Sequence, residues 1–170
     1  RRDPNTSKHV EDALKTIKEM GFYDDSLIIM TSDHGYPNPS TKLDENFFKS
    51  QRIGHDMILT DDNIKTPLFI KYPGSPENKK IKNVVGHVDI IPTIYDLLTI
   101  PLDKPNDTNK FRGKTLIPII NGKEYDNRVR RSDTRLTMDV GRMTALRSGN
   151  YKYLYFHDSR TESLYNLKED

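Results

Sequence analysis

Cysteine is absent from the 170 residues. That excludes disulfides, thiolate-bound metal and a cysteine nucleophile within this stretch, and it leaves the redox compartment unread. Long apolar runs are missing as well. Nothing approaches the roughly 18 apolar residues of a membrane span, so no membrane segment is expected in this chain. Neither charge sign is in excess, with 27 basic and 25 acidic residues for a net +2. No basic field therefore points to nucleic acid as a partner. Neither an initiator methionine nor a signal peptide opens Arg1-Arg2-Asp3-Pro4, and localisation is not readable. With 31% charged residues, the chain is polar for a self-contained globule of its length. Part of the core is expected to lie outside it, upstream of Arg1. No Gly-x-Ser-x-Gly or His-Glu-x-x-His occurs, and the Gly74 turn lacks the spacing and Lys-Ser/Thr end of a phosphate loop.

What is present has an alternating texture. Asp3-Pro4 or Ser7 opens a first helix, with Val10, Leu14, Ile17 and Met20 at helical spacing and Gly21 as the stop. Ser26 to Met30 reads as a short buried strand, so helix and strand together form the half-unit of an α/β sheet. Residues 36–54 are polar and Pro-broken, a long loop of the functional kind. Met57 to Ile64 predicts a short helix ended by Thr66-Pro67. Pro67 to Gly74 reads as a second buried strand with a Pro-Gly exit. Asp89 is placed to cap a helix with Pro92 in its first turn and an apolar stripe of Ile90, Ile91, Ile94, Leu97 and Leu98. After a linker-like stretch from Pro101 to Lys110, the tail turns charged. Met143 to Phe156 then predicts a β-hairpin about Ser148-Gly149-Asn150.

The chemistry-bearing residues cluster after the first strand. Asp33-His34-Gly35 is either a polar turn or a pair of metal ligands at the rim of a sheet. Ligand sites of α/β sheets lie beyond the carboxyl ends of strands. Asp33 offers a hard oxygen, His34 a borderline nitrogen, and Gly35 a close backbone turn. His55, after Gly54 at the end of the long loop, is either an exposed loop histidine or a donor to an anion or leaving group. His87 reads as packed or capping. Lys42, Lys49 and Lys65 flank the same region and read singly as surface lysines.

Taken in order, these segments resemble the C-terminal half of a sulfatase of the alkaline-phosphatase-like superfamily. Tyr23 to Gly35 is similar to the family's strand and metal-binding Asp-His/Asn-Gly. Gly54 to Gly74 resembles its His-Gly-x-x-Leu-Tyr-Asp-Glu-x-x-x-x-Pro-Leu-Ile stretch, with His55, Leu59, Asp61, Asp62 and Pro67 in register. Val85 to Ile100 resembles its Val-Asp-Ile-x-Pro-Thr helix, and Phe111 to Gly122 its Gly-x-Ser-Leu-x-Pro-Leu segment. Thr144 to Phe156 and Glu162 to Asp170 resemble its closing hairpin and terminus.

The resemblance implies an α/β fold: the C-terminal part of a mixed, mostly parallel sheet sandwiched by helices, followed by a small antiparallel β subdomain. Residues 1–122 would belong to the α/β domain and 123–170 would begin the subdomain. It implies Asp33 and His34 as metal ligands, His55 as a catalytic residue at the substrate oxyanion or leaving group, and a structural role around His87 and Asp89. Lys42 and Lys49 have no counterpart in the family pattern. The implied cofactors are a divalent metal, with calcium first and manganese or zinc as alternatives, and a formylglycine in the missing N-terminal half. The implied substrate is a sulfate ester, of a small molecule or a glycan. The family's Cys/Ser-x-Pro-x-Arg nucleophile motif is absent here, as is the acidic pair of its first strand. The chain by itself is therefore expected to be inactive. A phosphodiesterase, a phosphonate hydrolase, a phosphoethanolamine transferase or a non-catalytic module are the alternative readings.

Overall fold

The computed structural model of the chain describes residues 5–35, 59–75, 78–101, 111–123, 128–135 and 141–169. They divide into two compact units, one of residues 1–32 and 67–79, the other of residues 33–66 and 80–170. No helix among the described residues is long and apolar enough to cross a membrane.

In the first unit, helix α1 spans Thr6–Glu19. It stops in a Schellman arrangement, with Phe22 N–H bonding the Ile17 carbonyl at 3.1 Å and Gly21 N–H the Lys18 carbonyl at 3.0 Å. Gly21 takes φ +75°, the left-handed value that this cap demands. Strand β1, Ile28–Thr31, pairs antiparallel with β2, Leu68–Lys71, with Thr31 opposite Leu68 and Ile28 opposite Lys71. The Lys71 ammonium donates to the carbonyls of Tyr23, Asp24 and Ser26, fixing the link that feeds β1. Thr31 Oγ1 donates to the Pro67 carbonyl at 2.7 Å. Both strands were expected to be buried, yet they are mostly half-exposed, and Phe69 is exposed. The physical reason is local: α1 buries none of its residues, and each strand has one strand neighbour among the described residues. The pair is antiparallel, and no parallel pairing of the expected mixed sheet occurs among the described residues.

The second unit carries a one-turn helix α2, Asp61–Ile64. A 3-10 turn, His87–Asp89, leads into α3, Ile90–Leu97, and α4 follows at Ile117–Ile120 with Pro118 in its first turn. An antiparallel meander closes it: β3 Arg130–Arg135, β4 Arg142–Ser148, β5 Tyr151–Phe156 and β6 Thr161–Asn166, in that spatial order. The expected hairpin is there, with Ser148 paired to Tyr151 across Gly149-Asn150 and Gly149 at φ +54°. Alternation along β4 and β5 puts Met143, Ala145, Lys152 and Leu154 inward. Leu59, Met143, Ala145 and Leu154 form a core cluster, with Ile64, Phe156 and Tyr165 packed against it. Leu59, just before α2, and Ile64, its last residue, thus seat it on the sheet.

Asp89 departs from its expected role. Its side chain makes no cap bond to α3. It is fully buried instead and accepts from Gly86 N–H at 3.0 Å and Lys114 N–H at 2.9 Å. Arg128 and Arg130 pair with it at 3.2 and 3.4 Å. Buried carboxylates need such partners, because a lone charge in the interior is very costly. Thr93 extends the knot, donating to the Asp89 carbonyl at 2.6 Å and accepting from Leu116 N–H at 2.9 Å.

Candidate metal centre

Two residues past Thr31, the chain turns through Asp33, His34 and Gly35. The His34 amide donates to Asp33 Oδ1 at 2.9 Å, which aligns that carboxylate along the turn. His34 Nδ1 lies 2.5 Å from the Gly35 carbonyl. A carbonyl only accepts, so Nδ1 is the donor in this contact. Nε2 lies 3.5 Å from Asp33 Oδ2. Metal-bound histidines have their second ring nitrogen fixed in this way by a carbonyl or carboxylate.

Gly35 ties this turn to α2. Its N–H donates to the Asn63 carbonyl at 2.6 Å. A Cβ at this position would stand 1.9 Å from the Asp62 carbonyl oxygen, so only glycine lets the two backbones come this close. The α2 turn is held in its own right: Asp61 Oδ1 accepts from Lys152 Nζ at 2.6 Å and Oδ2 from Arg147 Nη1 at 3.3 Å. Lys152 is buried on the inner face of β5, and that burial pushes its pKa below the ordinary lysine value, against the pull of Asp61.

The donor set suits part of a divalent-metal shell. It offers one hard anionic oxygen and one imidazole nitrogen, at a separation that metal–ligand bonds of about 2.0–2.5 Å can span. Among the described residues no third His, Asp or Glu joins them in a metal-holding group. The Asp33 carboxylate is 86% exposed and the His34 ring 40%, so this face of the turn is open to further ligands.

The other expected residues fall elsewhere. His55, Lys42 and Lys49 lie outside the described residues. His87 sits in the 3-10 turn with Nε2 3.0 Å from Thr66 Oγ1. His157 Nε2 lies 2.9 Å from Thr144 Oγ1 in the meander. The Lys152–Asp61 pair escaped the sequence reading, although a signal existed. Lys152 has the parity of Leu154 and Phe156, and a lysine on an apolar strand face calls for a buried partner.

The Sulfatase family profile matches residues 5–100, and the profile of the C-terminal region of N-sulphoglucosamine sulphohydrolase matches residues 55–170. The extracellular sulfatase SULF-1 homolog of Drosophila melanogaster is 28% identical over 133 residues, 78% of this chain and 11% of that protein. The human N-acetylglucosamine-6-sulfatase is 32% identical over 113 residues, 66% of this chain and 18% of that protein. The chain thus spans under a fifth of the length of either relative. The phosphonate monoester hydrolase of Silicibacter pomeroyi shares the fold, at a TM-score of 0.71 and 22% identity over 96% of this chain and 33% of that one.

Proposed function

Because this chain belongs to the sulfatase family, we propose that it is the metal-binding C-terminal portion of a sulfatase-like hydrolase. Residues 1–122 are read as part of its α/β domain and 123–170 as the start of its small antiparallel subdomain. The observation that carries the reading is the Asp33-His34-Gly35 turn. Its Nδ1–H is bound to a carbonyl, and its Nε2 and carboxylate oxygen lie side by side.

In this reading Asp33 and His34 supply two ligands, and His55 lines the substrate oxyanion or protonates the leaving group. Asp33 and His34 would hold a divalent metal, calcium before manganese or zinc, whose charge would neutralise the ester's oxyanion and orient the nucleophile. The substrate is a sulfate ester of a small molecule or glycan. The Gly35 carbonyl holds the His34 tautomer, and the close approach of Gly35 to α2 holds the turn's backbone. No Cys or Ser followed by x-Pro-x-Arg occurs in the 170 residues. In this reading the formylglycine nucleophile and the acidic pair of the family's first strand lie outside these residues.

The test pairs two preparations with an aryl sulfate as substrate. The 170-residue chain alone is expected to show no turnover. A longer protein carrying the nucleophile motif is expected to hydrolyse the ester and to lose at least about 100-fold in rate on Asp33→Ala. Turnover by the short chain, or a longer protein indifferent to Asp33→Ala, overturns the proposal.

A further inference from the structure

The second unit contains a continuous mechanical path from the antiparallel meander to the Asp33-His34-Gly35 turn. It begins at Arg147 and Lys152, directly paired across β4 and β5 on the inward face. Each cation takes one oxygen of Asp61, Lys152 at Oδ1 and Arg147 at Oδ2. Asp61 opens α2, and two residues on the Asn63 carbonyl receives the Gly35 amide. The Asp62 carbonyl fills the space where a Gly35 side chain would stand. From Gly35 the path closes on the His34 ring through its carbonyl.

Two facts indicate that the ionic pair orients α2. First, α2 is four residues long and closed by few bonds of its own, Asn63 and Ile64 N–H to the Thr60 carbonyl at 3.0 Å each and Lys65 N–H to the Asp61 carbonyl at 2.8 Å. A helix this short takes its orientation from outside. Leu59 and Ile64 anchor it by apolar contact, which is non-directional. The carboxylate bridge is a directional contact from the sheet, beside the Gly35 N–H bond to the Asn63 carbonyl. Second, a lysine in the core is costly and an ion pair of this kind adds little net stability, so stability alone does not account for Lys152 at this position.

We infer that Lys152 and Arg147 are positioning residues for the Asp33-His34-Gly35 turn, acting through Asp61 and the α2 backbone. The functional weight of this role rests on reading the turn as a metal half-site. The positioning itself does not, and it is measured without metal. The readout is amide hydrogen exchange of Gly35 in the full chain, with Leu116 as internal reference. The Leu116 amide is bonded to Thr93 and lies outside the path.

With Lys152→Met, Gly35 exchange is expected to rise about tenfold while Leu116 is unchanged. Loss of one buried partner can unfold the chain, so the double variant Asp61→Asn/Lys152→Met removes both charges together. In it Leu116 is expected to stay protected and Gly35 to exchange faster. Equal acceleration of both amides would assign Lys152 a general stabilising role and overturn the inference. Wild-type protection of Gly35 in the folded double variant would overturn it too. A separate titration with Mn2+ reads the metal site, so the two ideas can fail independently.

Discussion

Replacing Gly35 by alanine places a methyl carbon 1.9 Å from the Asp62 carbonyl oxygen, 2.9 Å from its carbon and 3.2 Å from the Asn63 oxygen. All three atoms are backbone, so no rotamer change can relieve the clash. One backbone must retreat by roughly 1.5 Å to reach van der Waals separation. That movement stretches the 2.6 Å bond from Gly35 N–H to the Asn63 carbonyl past hydrogen-bond range. Overpacking costs about 1–3 kcal/mol and a lost hydrogen bond about 1 kcal/mol, so the expected destabilisation is about 2–4 kcal/mol. In urea unfolding followed by circular dichroism this is a midpoint shift of about 1–2 M. Gly86→Ala is the matched control. Its Cβ would meet Arg130 Cδ at 3.5 Å, an ordinary contact, with φ at −127°. It should change stability by less than about 0.5 kcal/mol. Equal midpoints for the two variants would refute the packing of Gly35 against α2.

Three further outcomes follow from buried or paired charges. Asp89→Asn leaves the Arg128 and Arg130 guanidiniums without their carboxylate; equilibrium unfolding should show a loss of about 3–5 kcal/mol, and a loss below about 1 kcal/mol contradicts the account. Burial lowers the Lys152 pKa, so the unfolded chain holds more protons between that lowered value and 10.5. Its contribution to stability should therefore rise with pH across that window. A pH series of urea midpoints checks the slope against the folded Asp61→Asn/Lys152→Met variant, which should lack it. The Arg131 guanidinium and the Thr144 hydroxyl hold the Asp133 carboxyl below its usual 3.8. That contribution is complete above 3.8 and is lost as pH falls through the lowered value. Because the pair is exposed, the loss should shrink further in high salt, and Asp133→Asn should abolish it.

The local elements with period and punctuation were legible in the sequence. The stripe of α1 with its glycine stop, the Gly149-Asn150 hairpin and the Pro-bounded strand β2 all carry their signals within a few residues. Strand β3 did not. Arg-Arg-Ser-Asp-Thr-Arg has no apolar alternation, and its place at the edge of the meander is what tolerates the charge. Asp89 misled because a cap and a buried anion look alike before an apolar helix. Only Arg128 and Arg130, distant in sequence, distinguish them. Asp33 and His34 were legible as a candidate pair through their place after a strand. The grip of α2 on Gly35 was legible only in half: the glycine permits a close approach, but no residue type names the Asp62 and Asn63 backbone that it meets. His55 and the 36–54 loop lie outside the described residues.

Paramagnetic titration of the chain with Mn2+ tests whether Asp33 and His34 form half of a divalent-metal site. Two ligands leave most of the shell to water, so binding should be weak, in the range of about 0.1–10 mM. Resonances of Asp33, His34 and Gly35 should broaden first, and Asp33→Ala should abolish that selectivity. Broadening that begins elsewhere, or that survives Asp33→Ala at these three residues, would contradict the assignment.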